Sequence, residues 1–134
     1  MSTYKYDVSL RVRHPELKAN KICEELGLTP KIKWDVGAQR VTPKGRRLNG
    51  VYEETYCSFW LPHENDESLP EFLGKINEQL KSKVKFFDEI ILSGGTAEYF
   101  IGWYLNENTG DVFNYKFLQE VSKLKISLSF DLYP

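Results

Sequence analysis

Two stretches of strict alternation, one at each end of the chain, constrain the fold most. Tyr4, Tyr6, Val8, Leu10 and Val12 alternate with Lys5, Asp7, Ser9, Arg11 and Arg13. Ile126, Leu128, Phe130 and Leu132 alternate with Ser127, Ser129, Asp131 and Tyr133. Successive side chains of a strand point to opposite faces, so each stretch reads as a strand with one buried and one wet side. A parallel sheet covered on both faces would show continuous apolar runs instead. The chain is therefore expected to build a sheet with helices on one face only.

The segments between these strands alternate in type. Pro15 stops strand pairing and suits the first turn of a helix. Ala19, Ile22, Cys23 and Leu26 then recur at helical spacing, and Gly27 is the expected C-terminal cap. Residues 29–50 show no sustained period and hold Pro30, Gly37, Pro43, Gly45 and Gly50, which reads as a long ordered loop or irregular hairpin pinned by Trp34 and Val36. A second strand is expected over 52–61, with Cys57, Phe59 and Leu61 inward and Tyr56, Ser58 and Trp60 outward. Ser68-Leu69-Pro70-Glu71 has the form of a capping box before the stripe Leu69, Phe72, Leu73, Ile76 and Leu80. Val84, Phe87, Ile90 and Ile91 favour a helix over 84–92, although Ile90-Ile91-Leu92 alone also reads as a strand; Gly94-Gly95 ends it either way. Ala97, Tyr99, Ile101, Trp103 and Leu105 mark a third strand, and Asn106–Gly110 a turn. A helix near 114–124 places Phe117, Leu118, Val121 and Leu124 inward.

The resulting order, β-α-β-α-β-α-β, divides into two strand–helix–strand halves joined by an extra helix. Two split βαβ units would form a ferredoxin-like α+β sandwich, a four-stranded mostly antiparallel sheet with helices on one face. At 134 residues and 41% hydrophobic content this is one domain with enough core to need no metal or disulfide staple. Cys23 and Cys57 fall within apolar patterns and read as reduced core thiols. The N-terminus lacks an apolar signal region, and no apolar run approaches the roughly 18 residues of a spanning helix, so a cytoplasmic protein that binds no membrane is expected.

Catalytic motifs are missing from the residue pattern. His14 and His63 have no ligand-type residue at metal spacing, and His14 suits a polar role at the strand–helix junction. Asn106–Asp111 offers oxygens without the order of a calcium loop. There is no Gly-x-Ser-x-Gly elbow, neither cysteine has a nearby base, and Gly94-Gly95 precedes a strand rather than opening a helix. The reading is a chain that is not an enzyme and carries no cofactor or metal.

Two surfaces remain. Lys31, Lys33, Arg40, Lys44, Arg46 and Arg47 face only Asp35 between residues 31 and 47, so six cations against one carboxylate give a local +5 in a chain of net charge −1. Interleaved with Trp34, this segment is either a solvated hairpin or a contact surface for an acidic partner or phosphate. On the outward face of the strands, Arg11, Arg13, Trp60, Phe100, Tyr104 and Tyr133 fall beside Asp7 and Asp131. Arginine and aromatic residues on one surface are the composition of protein-binding hot spots; packing of some of these rings under the 29–50 loop is the alternative.

Several of these features also carry a family resemblance. They are the N-terminal alternating strand, Leu26-Gly27-Leu28-Thr29-Pro30 closing the first helix, a loop bearing Gly37, Lys44 and Gly45, an aromatic strand ending in Trp60-Leu61, and the closing strand Ile126–Tyr133. Together they resemble the family of domain of unknown function 4279 over nearly the whole chain. Val36-Gly37-Ala38 departs from the Lys-Gly-Asp expected there. The resemblance implies a bacterial single-domain protein and brings no catalytic residue with it. The leading expectation is a non-catalytic protein-binding module, of immunity type, that holds a toxin or other protein partner. Nucleic-acid binding across the open sheet and basic loop is the alternative, opposed by the net charge and by the lack of the Lys/Arg-Gly-Phe-Gly/Ala-Phe signature of RNA-recognition sheets. A third class, an enzyme or binder for a small metabolite, requires a pocket between loop and sheet.

Overall fold

The computed structural model describes residues 5–64, 66–105 and 110–134. The first alternating segment forms β1 (Tyr6–His14), followed by α1 (Ala19–Leu26). Residues 29–54 contribute three short strands, β2 (Ile32–Trp34), β3 (Gln39–Val41) and β4 (Arg47–Val51), before β5 (Thr55–Leu61). Then come α2 (Leu69–Leu80), a 3-10 turn (Lys81–Lys83), α3 (Val84–Leu92), β6 (Thr96–Tyr104), α4 (Tyr115–Lys123) and β7 (Ser127–Tyr133). The Asn106–Gly110 turn and Tyr4, expected from the sequence, fall largely or wholly outside the described residues.

The main sheet has five strands in the order β2-β5-β1-β6-β7, and β3 pairs with β4 as a separate hairpin. The α+β class with a one-sided helix layer holds, whereas the four-stranded ferredoxin-like pairing is corrected. β1 pairs antiparallel with both β5 and β6, and β2 pairs antiparallel with β5. The strand parallel to β1 is therefore the three-residue β2, with β5 inserted between them. The first split unit closes through the segment read as loop. In the second half β6 and β7 are direct parallel neighbours joined through α4, with no strand between them. That half is an ordinary βαβ crossover.

One face of the sheet carries the core. Tyr6, Val8, Leu10 and Val12 of β1 lie beside Leu61, Phe59 and Cys57 of β5 and beside Ile101, Tyr99 and Ala97 of β6. Ile22 and Leu26 of α1, Leu69 and Leu73 of α2, Phe87 and Ile90 of α3, and Phe117 and Val121 of α4 close over them. The segment 84–92 is thus helix, its apolar residues spaced to meet this layer. Leu118, expected inward, is 48% exposed, and so are Phe130 (41%) and Leu132 (57%) in part or in large part. The reason is position: β7 is the sheet edge, and its outer half extends beyond the helices that bury Ile126.

The helix ends show how the loop is tied down. Lys18 offers α1 no side-chain cap. Asp35, arriving from the 29–50 segment, accepts a hydrogen bond from the Ala19 N–H at 2.7 Å and places its charge at the favourable end of the helix dipole. Ser68 accepts from Glu71 N–H at α2, and Asn114 from Phe117 N–H at α4. At Gly95 a Cβ would stand 2.6 Å from the Arg13 carbonyl oxygen and 2.8 Å from His14 Cδ2 and Ile90 Cγ2, so only glycine lets β6 start this close to the end of β1.

Candidate functional site on the helix-free sheet face

The residues of β1 that alternate with the core face a surface that no helix covers among the described residues. Register fixes its rows. Trp60, Ser9, Phe100 and Ser129 form one; Ser58, Arg11, Glu98 and Ser127 the next; Tyr56, Arg13 and Thr96 the third. Toward the other end lie Asp7, Gly102 and Asp131, then Tyr104 and Tyr133. β2 adds Ile32 beside Ser58 and Trp34 beside Tyr56. Of the residues singled out from sequence, Arg11, Arg13, Trp34, Trp60, Phe100, Tyr104 and Tyr133 do share this face.

Its side chains are held before any partner arrives. The Arg11 guanidinium lies 3.6 Å from the Phe100 ring centroid, with Glu98 3.9 Å away. Arg13 lies over Tyr56 at 4.7 Å and pairs with Glu54 at 3.2 Å. Such cation–π contacts restrict a long side chain; Arg11 Nε is buried here without a partner among the described residues. Tyr104 and Tyr133 stack at 5.0 Å, Tyr104 reaching Asp7 and Tyr133 reaching Asp131. The Asp131 carboxylate, as hydrogen-bond acceptor, pushes the Tyr133 phenol up from its ordinary range. Trp60 makes no such contact among the described residues and is 53% exposed. Beside it a groove of about 550 Å³ runs past Pro62 and His63 to Phe72 and Ile76 of α2.

The basic segment divides. Trp34 stacks between Tyr52 (4.3 Å) and Tyr56 (4.7 Å), and its indole N–H donates to the Glu54 carbonyl, so it anchors the hairpin. Lys33 falls on the helix side, opposite Cys57, and donates to Asn20. Lys31, Arg40, Lys44, Arg46 and Arg47 are exposed, the last four on the β3–β4 hairpin. Among the described residues none of these five has a carboxylate within 4 Å, and Arg40 spends a donor on the Asn49 carbonyl. The hairpin therefore presents its charge to solvent, and Trp34 with Tyr52 ties it to the sheet face at the Tyr56 corner. Sequence reasoning missed Tyr52, Glu54 and Glu98. Glu98 was accessible in principle, since it alternates with Ala97 and Tyr99 in the third strand.

Reactive-looking groups elsewhere resolve into structure. His14 Nε2 is 2.7 Å from Ser93 Oγ, a serine–histidine contact across 79 positions that no local motif announces. His14 Nδ1, however, accepts hydrogen bonds from both Glu16 N–H and Leu17 N–H. Nε2 therefore carries the proton and donates it to Ser93, whose hydroxyl donates in turn to the Glu89 carbonyl. A donor cannot be the base for that serine, and the buried ring is out of reach of substrate. Burial lowers its pKa. Cys57 is buried against Cys23, and burial pushes its thiol up to about 12, which opposes thiolate chemistry. Among the described residues no three His, Cys, Asp or Glu side chains converge as metal ligands, and no helix is long and apolar enough to cross a membrane.

Neither the curated proteins nor the solved structures contain a match to this chain. The model of one family, described as Domain of unknown function (DUF4279), matches residues 2–134. The chain therefore belongs to the DUF4279 family.

Proposed function

We propose that this chain is a non-catalytic protein-binding module of immunity type, acting in the bacterial cytoplasm on a toxin or other protein partner. The helix-free sheet face is the docking surface, and the basic hairpin steers an acidic partner onto it. The observation that carries this reading is the exposed set Trp60, Tyr104 and Tyr133 on the same sheet face as arginines already stacked on rings. Preorganised aromatic and arginine anchors lose little side-chain freedom on binding, which is where hot-spot affinity arises. The unpaired cations of the hairpin support an acidic partner, since exposed complementary charge raises association rate more than affinity. Asp7, Glu98 and Asp131 on the same face disfavour a phosphate backbone.

Reversal of the hairpin charge tests the steering. In the pair of substitutions Arg46→Glu and Arg47→Glu, folding should be unchanged, because exposed loop charges contribute little to stability. The association rate with the partner should drop, and the wild-type rate should fall with added salt. An association rate equal to wild type at low salt would remove the hairpin from the reading.

A further inference from the structure

The outer edge of β7 is a second surface, independent of the sheet face. Tyr133 uses its carbonyl toward β6, where it accepts from the Leu105 N–H at 2.8 Å. Backbone groups alternate in direction along a strand, so Leu128, Phe130 and Leu132 turn their N–H and C=O groups away from the sheet. β7 is the last strand of the order β2-β5-β1-β6-β7, and that row of donors and acceptors is free among the described residues. Edges of this kind are usually blunted by inward charges, lysine, proline or a bulge. Between Ser127 and Tyr133 there is one charge, Asp131, and no proline, and the register with β6 runs without a break. The opposite edge, β2, is only three residues long, carries Lys33 at its centre and is preceded by Lys31.

We propose that β7 pairs antiparallel with β7 of a second copy, about a two-fold axis through Phe130, to make one sheet across a dimer. The sequence Ser127-Leu128-Ser129-Phe130-Asp131-Leu132-Tyr133 complements itself about that centre. Phe130 meets Phe130 of the second copy, Leu128 meets Leu132, Ser129 meets Asp131, and Ser127 meets Tyr133. The centre falls on a residue whose backbone groups point outward, so the three apolar pairs are the hydrogen-bonded pairs of the new ladder. The one carboxylate faces a hydroxyl, not its own mate, and no like charges oppose each other.

The side chains at these positions fit the same occupant. Phe130 and Leu132 are large, exposed and on the helix side of the sheet, with Phe130 touching only Trp103 (6.1 Å) and Phe113 (6.0 Å) among aromatic rings. Glu120 and Lys123 of α4 line the groove shared with Asn77 and Glu78 of α2. Leu118 therefore lies on the flank of α4 turned away from α2. The pairing extends the ladder with an apolar strip of Phe130 and Leu132 from each copy, an isologous contact that closes on itself and does not propagate. The partner surface that suits this strip is its own image.

Sedimentation equilibrium of the full chain from micromolar to millimolar concentration tests the proposal. Wild type should approach twice the 15.7 kDa of one chain. Phe130→Pro removes one outward N–H at a position where an edge strand tolerates proline, and it should leave a monomer. A register test needs no loss of pairing. Phe130→Cys places two thiols at a hydrogen-bonded antiparallel pair with Cα atoms about 5.5 Å apart, within disulfide reach. It should cross-link two chains under mild oxidation, beyond the wild-type background, while Ser129→Cys, which faces Asp131, should not. Wild type that stays monomeric throughout, a dimer that survives Phe130→Pro, or Ser129→Cys linking as readily as Phe130→Cys would each overturn the proposal. If Phe130→Pro fails to fold, the wild-type mass and the two cysteine variants decide.

Discussion

The buried pair Tyr99–Asn77 offers a quantitative check on how the helix layer is held to the sheet. Tyr99 stands on the interior strand β6 and donates its hydroxyl to Asn77 Oδ1 of α2 at 2.6 Å, both residues being buried. Asn77 Nδ2 is buried and has no partner among the described residues. The site therefore holds one good hydrogen bond and one orphaned donor. Tyr99→Phe strips Asn77 of its remaining partner and should cost about 1–3 kcal/mol, the penalty for an unsatisfied buried polar group. Asn77→Leu, nearly equal in volume, strands the Tyr99 hydroxyl but also removes the orphaned amide, so its cost should be smaller. In the double variant no polar group remains, and its stability should return close to wild type or exceed it. The coupling energy then equals the sum of the two single costs, about 1–3 kcal/mol or more, well outside the roughly 0.3–0.5 kcal/mol expected of independent sites. Urea denaturation followed by circular dichroism resolves this, provided the slopes of the four proteins agree. Additive losses, or a Tyr99→Phe change without cost, would refute the assigned bond and its burial.

Two further predictions follow from burial and protonation. Leu10 is fully buried between Phe59 and Tyr99, so Leu10→Ala should cost about 2–5 kcal/mol, whereas Phe130→Ala at the exposed edge should cost clearly less in dilute solution; equal losses would contradict the edge position of β7. His14 is held neutral in the fold, since burial lowers its pKa against the smaller opposing pull of Glu16 and Nδ1 already accepts two N–H groups. The unfolded chain takes up the proton first, so this contribution is intact above the unfolded value near 6.5 and is lost as pH falls below it toward the lowered folded value. Melting temperature should therefore drop between about pH 7.5 and 5.5 more steeply for wild type than for His14→Gln; parallel profiles would count against the assigned tautomer.

Much of the fold was legible where a local period decides it. The alternation of β1 and β6, the stripe of α2 with its Ser68 cap, and the outward set Arg11, Arg13, Trp60 and Tyr104 all follow from which side of a strand or helix a residue occupies. What failed required knowledge of neighbours. Phe130 and Leu132 alternate as cleanly as Leu10 and Val12, but β7 has a strand on one side only, and alternation does not say whether a helix reaches that far. β2 is three residues long, too short to show a period, yet it occupies the place that makes the first half a split unit. The contacts that hold the candidate surface, Trp34 on Tyr52 and Arg13 on Glu54, and the His14–Ser93 pair depend on turns that bring distant segments together. In the same way Lys33 belonged to the basic run by sequence and to the other side of the sheet by register.

The claim that the helix-free face is the docking surface is tested most directly by alanine substitution measured against the protein that co-purifies with this chain. Trp60→Ala and Tyr104→Ala should each weaken binding, Trp60→Ala by about 30-fold or more, the scale of a central hot spot near 2 kcal/mol. Leu92→Ala, at a residue 83% exposed on α3, in the helix layer, should bind as wild type does. Trp60→Ala and Leu92→Ala should unfold at the same denaturant concentration as wild type, since both side chains are more than half exposed, and Tyr104→Ala, which loses its stack on Tyr133, slightly below it. Full affinity in Trp60→Ala and Tyr104→Ala, with a loss confined to Leu92→Ala, would place the partner on the opposite face and contradict the account.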